Sequence, residues 1–591
     1  MDKPYHGHVN LMTESQAPDA VPGELRGGKV RGGMYVFLVS SAIFIFALTI
    51  RLAYLHEIRS TAFFDNLKQL RDSRYYDQEA SRVASGELLG ETAYFLGPLY
   101  GHVLGAFYAV WERSFPAVKV FQCILGAGSC VLLYHIGRRV FDDRVGILAA
   151  SILSLYGLHI YYHGLILPTT LVLFVNLLFL LAIIPRGPTL SWRRCIIAGG
   201  LIGIAAMAKS NALLLLPAVG AAIWLCYGQQ SRRRRAALAL SVVAGGALTL
   251  APLVLRNYLV TDEFILITTS TGINLLKGNG PAADGAHSPL PAGPRYGLAY
   301  YMSGRQIDAH PAMQESREMT RLAWQHIVDH PWNALQLFGK KLRLFFNATE
   351  LGIRDQFHFG QRESRLLRVM PGLFGLIAPI GITGMVMGWS RRRRAGMIYA
   401  TLFAQVVSFV LVFVLARYRI VAVACLILFA SQQIVDWMHA IRRQEWRGLW
   451  PSASLLLILA ACINIPMTEF PRELRFAMLY QMIGDRHFTN HDPAAAIRAY
   501  RQALEVPVHA ARPFISRRAG CWTRMAEANL RMGRTGEAIL AYRSLLQELE
   551  GDSRDRTTER IVQLRKQIRD LEATATPSST GTTPPGDHVD P

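Results

Sequence analysis

The sequence predicts an all-α polytopic membrane protein with about eleven transmembrane helices, two large extracytoplasmic loops and a C-terminal α-helical repeat domain. Three observations predict it. Of the 591 residues, 51% are hydrophobic and only 18% are charged, where a soluble chain carries about 25% charged residues. Apolar runs close to the ~20 residues needed to cross a bilayer recur along the chain, separated by arginine clusters. Two blocks near the C-terminus, AAIRAYRQAL and EAILAYRSLL, repeat with Ala496 aligned on Ala538 and Tyr500 on Tyr542.

Residues 1–32 are polar and glycine-rich and are expected to form a disordered cytoplasmic N-terminus. No small-x-small cleavage site follows the first apolar run, so that run reads as a retained span. Runs long enough to cross lie near 34–54, 117–137, 145–163, 166–184, 236–256, 369–389, 396–416, 419–439 and 450–467. The long run 195–228 is broken by Lys209-Ser210-Asn211 and reads as two spans joined by a polar turn, which makes eleven.

A further apolar segment, 94–113, carries Gly97, Pro98, Gly101, His102 and Gly105 in its first half. With this segment left out and the N-terminus inside, the clusters Arg138/Arg139/Arg144, Arg186/Arg193/Arg194, Arg232–Arg235, Arg391–Arg394 and Arg442/Arg443/Arg447 all fall on the cytoplasmic side. That agrees with the excess of basic residues in cytoplasmic loops, so 94–113 is expected as a helix lying along the outer face. The membrane unit then runs over 33–467, with outward loops 55–116 and 257–368. The helical repeat unit follows over 468–572, and the Thr-, Ser- and Pro-rich stretch 573–591 reads as a disordered tail.

The net charge of +21 comes mainly from loop clusters between apolar runs, which argues against nucleic-acid binding. The seven cysteines form no CxxC pair, so neither a disulfide framework nor a zinc site is expected. No aspartate cluster suggests a divalent cation. Neither a metal nor a cofactor is expected.

Against this background, a few polar residues break the pattern. Arg417 and Arg419 lie in VFVLARYRIVAV, between two apolar runs. A charge in mid-membrane costs at least ~2.5–3.5 kcal/mol, but this turn falls on the outer face, where the arginines defy the charge rule. Lys209 is the other exception. Basic residues placed outside against the rule suggest an anionic ligand; the alternative is snorkelling at a helix end. In loop 55–116, Asp72, Asp77 and Glu79 accompany Tyr75 and Tyr76, and Tyr76, Ala80, Val83 and Ala84 could share one face of a short helix. A carboxylate held there could serve as a general base, or belong to a solvated helix. Loop 257–368 opens with Arg256 and Asn257, then a β-rich stretch, FILITTS, then a turn Lys277-Gly278-Asn279-Gly280. Its glycines permit a close ligand approach, although the spacing is not that of a P-loop. Residues 330–350 read as an amphipathic interfacial helix with aromatic anchors.

In order, the chain presents D-x-x-YY-x-x-x-A (Asp72, Tyr75, Tyr76, Ala80), PLY (Pro98, Leu99, Tyr100) and RNY (Arg256, Asn257, Tyr258). It continues with G-x-N-x-x-x-GN (Gly272, Asn274, Gly278, Asn279) and RYR (Arg417, Tyr418, Arg419). Over roughly 34–440 it resembles the GT-C membrane glycosyltransferases of the protein O-mannosyltransferase and aminoarabinose-transferase type, family 39-like. The resemblance implies sugar transfer from a polyprenyl-phosphate donor to an extracytoplasmic hydroxyl on a glycan, lipid or protein, with inversion. It implies Asp72 as catalytic base, with Asp77 and Asp65 as secondary candidates. Donor-phosphate and substrate binding would fall to Arg417, Arg419, Arg256, Lys277, Asn279, Asn274 and Tyr76. The aminoarabinose type has a lysine before its PPL element, where this chain has Leu96-Gly97.

The C-terminal blocks resemble tetratricopeptide repeats, whose usual period is 34, with an insertion around 507–513, and a protein partner could bind there. The expected location is the bacterial inner membrane, with the repeats outside. Two other functions are consistent with the sequence: a lipid-linked-sugar flippase, for which the Lys209 break speaks, and a non-catalytic scaffold acting through the repeats.

Overall fold

The computed structural model describes residues 22–59, 61, 71–187, 189–286, 309–350, 352, 357–370, 373–467, 472–505, 515–550 and 557–575. Within them the protein is all-helical, and every predicted apolar run is a helix. Five helices are long and apolar enough to cross a membrane singly: Gly33–Ile58, Phe115–Val140, Arg232–Thr261, Ala416–Arg442 and Trp446–Asn464. Asp143–Leu155 and Gly157–His163 pass the same test as a pair bent by 56°. The bend falls at Gly157, where the carbonyl of Met370 occupies the place a Cβ would take. The remaining runs form the shorter helices Thr169–Ile183, Trp192–Ala208, Leu215–Cys226, Phe374–Met387 and Arg392–Val410. The protein is thus an integral membrane protein. Its most enclosed span is Ala416–Arg442, with 83% of its apolar stretch buried.

The helix expected in the first loop runs over Arg71–Ala84, and Tyr76, Ala80 and Val83 are buried together. It packs on the Pro98–Trp111 helix that opens with PLY. The glycines of segment 94–113 make this possible. A Cβ on Gly101 would lie 3.1 Å from Glu79 Cβ, and one on Gly105 would lie 2.5 Å from Val83 Cβ.

Two expectations for loop 257–368 are corrected. FILITTS forms no strand, because its backbone groups are satisfied elsewhere. Asn257 Nδ2 donates to the carbonyls of Ile265 and Ile267, and Thr269 N–H donates to Tyr94 O. The Lys277–Gly280 turn is instead the end of a helix, Thr271–Asn279. Gly278 does provide close approach, but to the carbonyl of Val412 rather than to a ligand. The amphipathic helix expected near 330–350 is present as Pro331–Phe346, with Trp332, Leu335, Phe338 and Leu342 exposed on one face.

After residue 472 the helices Arg472–Thr489, Pro493–Glu505, Ile515–Arg531, Thr535–Glu550 and Thr557–Ala575 build a second core. The aligned pairs Ala496/Ala538 and Tyr500/Tyr542 are buried alike. The unit touches the membrane part through Arg486 Nη1, which donates to Thr61 O at 3.3 Å, and through Arg362, whose guanidinium lies 5.2 Å from the Tyr480 ring centroid.

Candidate active site

A cavity of about 500 Å³ forms where the first turns of Arg71–Ala84, Gly97, residues 168–176, the break at 208–214, residues 266–274 and the joint 405–418 meet. Each is positioned by local chemistry. Tyr76 stands edge-on to Tyr100 of PLY, with ring centroids 5.0 Å apart, and Tyr100 donates to Gln122 Oε1 at 2.8 Å. Tyr75 accepts from Phe95 N–H at 3.1 Å. The helix is thereby rotated so that Asp72, in its first turn, faces the cavity. Partial positive charge at a helix N-terminus favours a carboxylate there.

Arg417 Nη2 donates to Asp72 Oδ2 at 2.6 Å, a pair whose side chains are 11% and 26% exposed. The same nitrogen donates to Tyr418 Oη at 3.4 Å. Lys209 reaches in from the break between helices, its Nζ 2.6 Å from the Tyr418 ring centroid and 5.3 Å from that of Phe409. Asn176, Asn211, Asn274, Gln405 and Ser408 add neutral polar groups to the walls. Burial raises the Tyr76 hydroxyl well above its ordinary range, with the Asp72 charge adding to the effect. Tyr76 therefore stays protonated at neutral pH, and Asp72 is the one carboxylate among the described residues that line the cavity.

The structure separates the sequence-predicted residues. Asp72, Tyr76, Asn274 and Arg417 line the cavity. Arg419 does not line it. Its guanidinium donates to the carbonyls of Phe345, Asn347 and Thr349 and pairs with Glu350 at 2.7 Å, with both side chains almost fully buried. It pins the chain that leaves the Pro331–Phe346 helix. Asp77 is likewise structural: it accepts a forked pair of bonds from Arg113 and a third from Tyr108. Arg256 donates to the carbonyls of Leu89 and Thr92, holding loop 85–96 beside a separate polar cavity of about 550 Å³. Asn279 donates to the carbonyls of Leu275 and Leu411 and accepts from Lys341 Nζ at 2.7 Å, while Lys277 ends the same helix outside the cavity. Asp65 lies outside the described residues.

Lys209 and Tyr418 line the cavity and are missing from the sequence-derived set of site residues. Lys209 carried a usable signal, a lone cation within an apolar run. Its placement is fixed by Gly97: a Cβ there would lie 2.5 Å from the carbonyls of both Met207 and Ala208. The segment bearing Lys209 is thus packed against the glycine that precedes PLY. Gly97→Ala is expected to lower stability by about 1–3 kcal/mol through overpacking. Thermal unfolding in detergent would measure the loss.

Residues 96–255 match the family of dolichyl-phosphate-mannose-protein mannosyltransferases. Lys209, Asn176 and Gly97 lie inside the matched stretch, whereas Asp72 and Arg417 lie outside it. No curated protein matches the chain. Among solved structures, the chain is similar to the archaeal oligosaccharyltransferase AglB from Archaeoglobus fulgidus in complex with an inhibitory peptide and a dolichol-phosphate. The identity is 13%, the TM-score is 0.41, and 80% of this chain and 60% of that chain are covered. The A. fulgidus oligosaccharyltransferase with zinc and sulfate gives 14% identity and a TM-score of 0.41, covering 79% of this chain and 57% of that chain. This chain therefore spans about 60% of the length of the first of these proteins. Over residues 96–255 the chain carries the pattern of the dolichyl-phosphate-mannose-protein mannosyltransferase family, within a membrane protein that is all-helical among the described residues.

Proposed function

We propose that the cavity transfers a sugar from a polyprenyl-phosphate donor to an acceptor hydroxyl outside the cytoplasm. The observation that carries this reading is one carboxylate and two cations, Asp72, Arg417 and Lys209, facing one cavity at a break in the membrane helices. Arginine presents a planar fork of donors to phosphate, and lysine adds a point charge. Arg417 is bonded to Asp72; an arriving phosphate competes for Arg417 and breaks that contact, so that the Asp72 carboxylate can accept a proton. The acceptor oxygen then attacks the anomeric carbon and its proton passes to Asp72. The bond to the phosphate oxygen breaks, its electron pair leaves with polyprenyl phosphate, and the anomeric centre inverts. The matched family's name supplies the donor class.

A path for the prenyl chain adjoins the cavity. Leu214 lines both the cavity and an apolar groove of about 1070 Å³ between the Leu215–Cys226 and Arg392–Val410 helices. Under this reading the basic loop clusters face the cytoplasm and the repeat unit lies outside, which phosphatase fusions at residue 470 would test.

The decisive assay uses protein reconstituted in liposomes with an envelope fraction as acceptor and a panel of labelled polyprenyl-phosphate sugars. At least one donor is expected to release polyprenyl phosphate, and Arg417→Ala to reduce release at least tenfold while the protein stays folded. No release from any donor would sink the proposal. Movement of intact donor between leaflets without release would identify a flippase instead.

A further inference from the structure

We propose that Tyr418 is the positioning residue of the donor-phosphate site, its ring setting Lys209 and its hydroxyl setting Arg417. The inference rests on the donor reading above. A lysine stem has four rotatable carbons and no preferred direction. Lys209 starts from a backbone break, at φ −155° and ψ 111°, between the Trp192–Ala208 helix and the 3-10 turn Ser210–Leu214. An aromatic face beneath the ammonium favours one direction, and the rings of Tyr418 and Phe409 both supply one, that of Tyr418 being the nearer.

The ring is itself fixed. It stacks on Phe409, with centroids 5.2 Å apart and planes 18° apart, and packs beside Phe413. Its backbone belongs to the single 3-10 turn Ala416–Arg419. The last residue of that turn, Arg419, is anchored to three carbonyls and to Glu350, so Tyr418 is held by its own neighbour in the chain. The hydroxyl then gives Arg417 a second acceptor besides Asp72. When phosphate displaces Asp72, that bond still orients the guanidinium. With its ring engaged by Phe409 and Lys209, Tyr418 is poorly placed to stack against a sugar, which favours positioning over substrate contact.

The test compares Tyr418→Leu and Tyr418→Phe in the liposome assay and measures binding of undecaprenyl monophosphate to purified protein. Tyr418→Leu is expected to raise the donor KM about tenfold, equivalent to ~1.4 kcal/mol. Its kcat should stay within about threefold, and phosphate-lipid binding should weaken in parallel. Tyr418→Phe keeps the ring that sets Lys209 but loses the bond to Arg417, and should raise the donor KM by an intermediate amount, about threefold, with kcat unchanged. Unchanged donor KM and lipid binding in Tyr418→Leu would overturn the positioning role. So would a collapse of kcat at constant KM in Tyr418→Phe, which would mark a hydroxyl acting in the reaction. If wild-type protein does not bind undecaprenyl monophosphate, the donor reading itself fails, a result distinct from either outcome for Tyr418.

Discussion

Asp72→Asn is expected to lower sugar transfer by about three orders of magnitude and leave the protein folded. General-base catalysis contributes roughly 10²–10⁴-fold, and an amide cannot take the proton that a carboxylate takes. The substitution is nearly isosteric. The Asn Oδ1 can still accept the bond from Arg417 Nη2 that now goes to Asp72, so the first turn of the Arg71–Ala84 helix keeps its contact across the cavity. Initial rates of polyprenyl-phosphate release, set beside thermal unfolding in detergent, separate the two effects. Asp77→Asn is the control: it lies one helical turn away, on Arg113 and Tyr108, and should lower stability without touching kcat. Transfer at wild-type rates in Asp72→Asn would remove Asp72 as the base.

Arg419→Ala is expected to have the largest effect on stability, a loss of about 3–5 kcal/mol, the usual consequence of leaving one member of a buried ion pair behind. Glu350 would be left unpaired at 3% exposure, and the carbonyls of Phe345, Asn347 and Thr349 would lose their donor. Denaturant titration in detergent micelles checks the magnitude. Replacing the pair together, as Arg419→Met with Glu350→Leu, should recover part of the loss, because the uncompensated charge is gone. Arg417, two residues away and facing a cavity, should show the opposite profile: activity lost and fold kept. A mild effect of Arg419→Ala would mean that the chain after Phe346 is held by something other than this guanidinium.

That contrast shows what the sequence made legible. Hydropathy placed each apolar run on helix, since burial in lipid or core imposes the apolar run directly, but five helices and one bent pair, not eleven, are long and apolar enough to cross a membrane among the described residues. The same pattern flagged Arg417, Arg419 and Lys209 as cations in the wrong place. It could not separate Arg417 from Arg419, because their divergence depends on a four-residue 3-10 turn, in which each residue rotates the side chain by about a third of a turn. Nor could it pair Asp72 with Arg417, a contact across 345 positions of sequence. FILITTS misled for a related reason. Its β-branched residues fit a strand, but the backbone partners that decided its form, Asn257 and Tyr94, lie in other segments. Gly278 looked permissive for a close ligand approach, and the glycines at 97, 101 and 105 only interrupted an apolar segment; three-dimensional packing made all four sites of close contact within the protein.

The bond between Asp72 and Arg417 bears on kinetics as well as geometry. Under the proposed reaction the Asp72–Arg417 contact keeps the base engaged until a phosphate takes the arginine. An acceptor alcohol, or water, entering first meets a carboxylate already engaged by a guanidinium. The protein would then follow a compulsory sequence, donor before acceptor, and a donor-bound state would be the only one in which a hydroxyl can be deprotonated. Product inhibition by polyprenyl phosphate, which takes Arg417 in the same way, would be competitive with the donor and not with the acceptor.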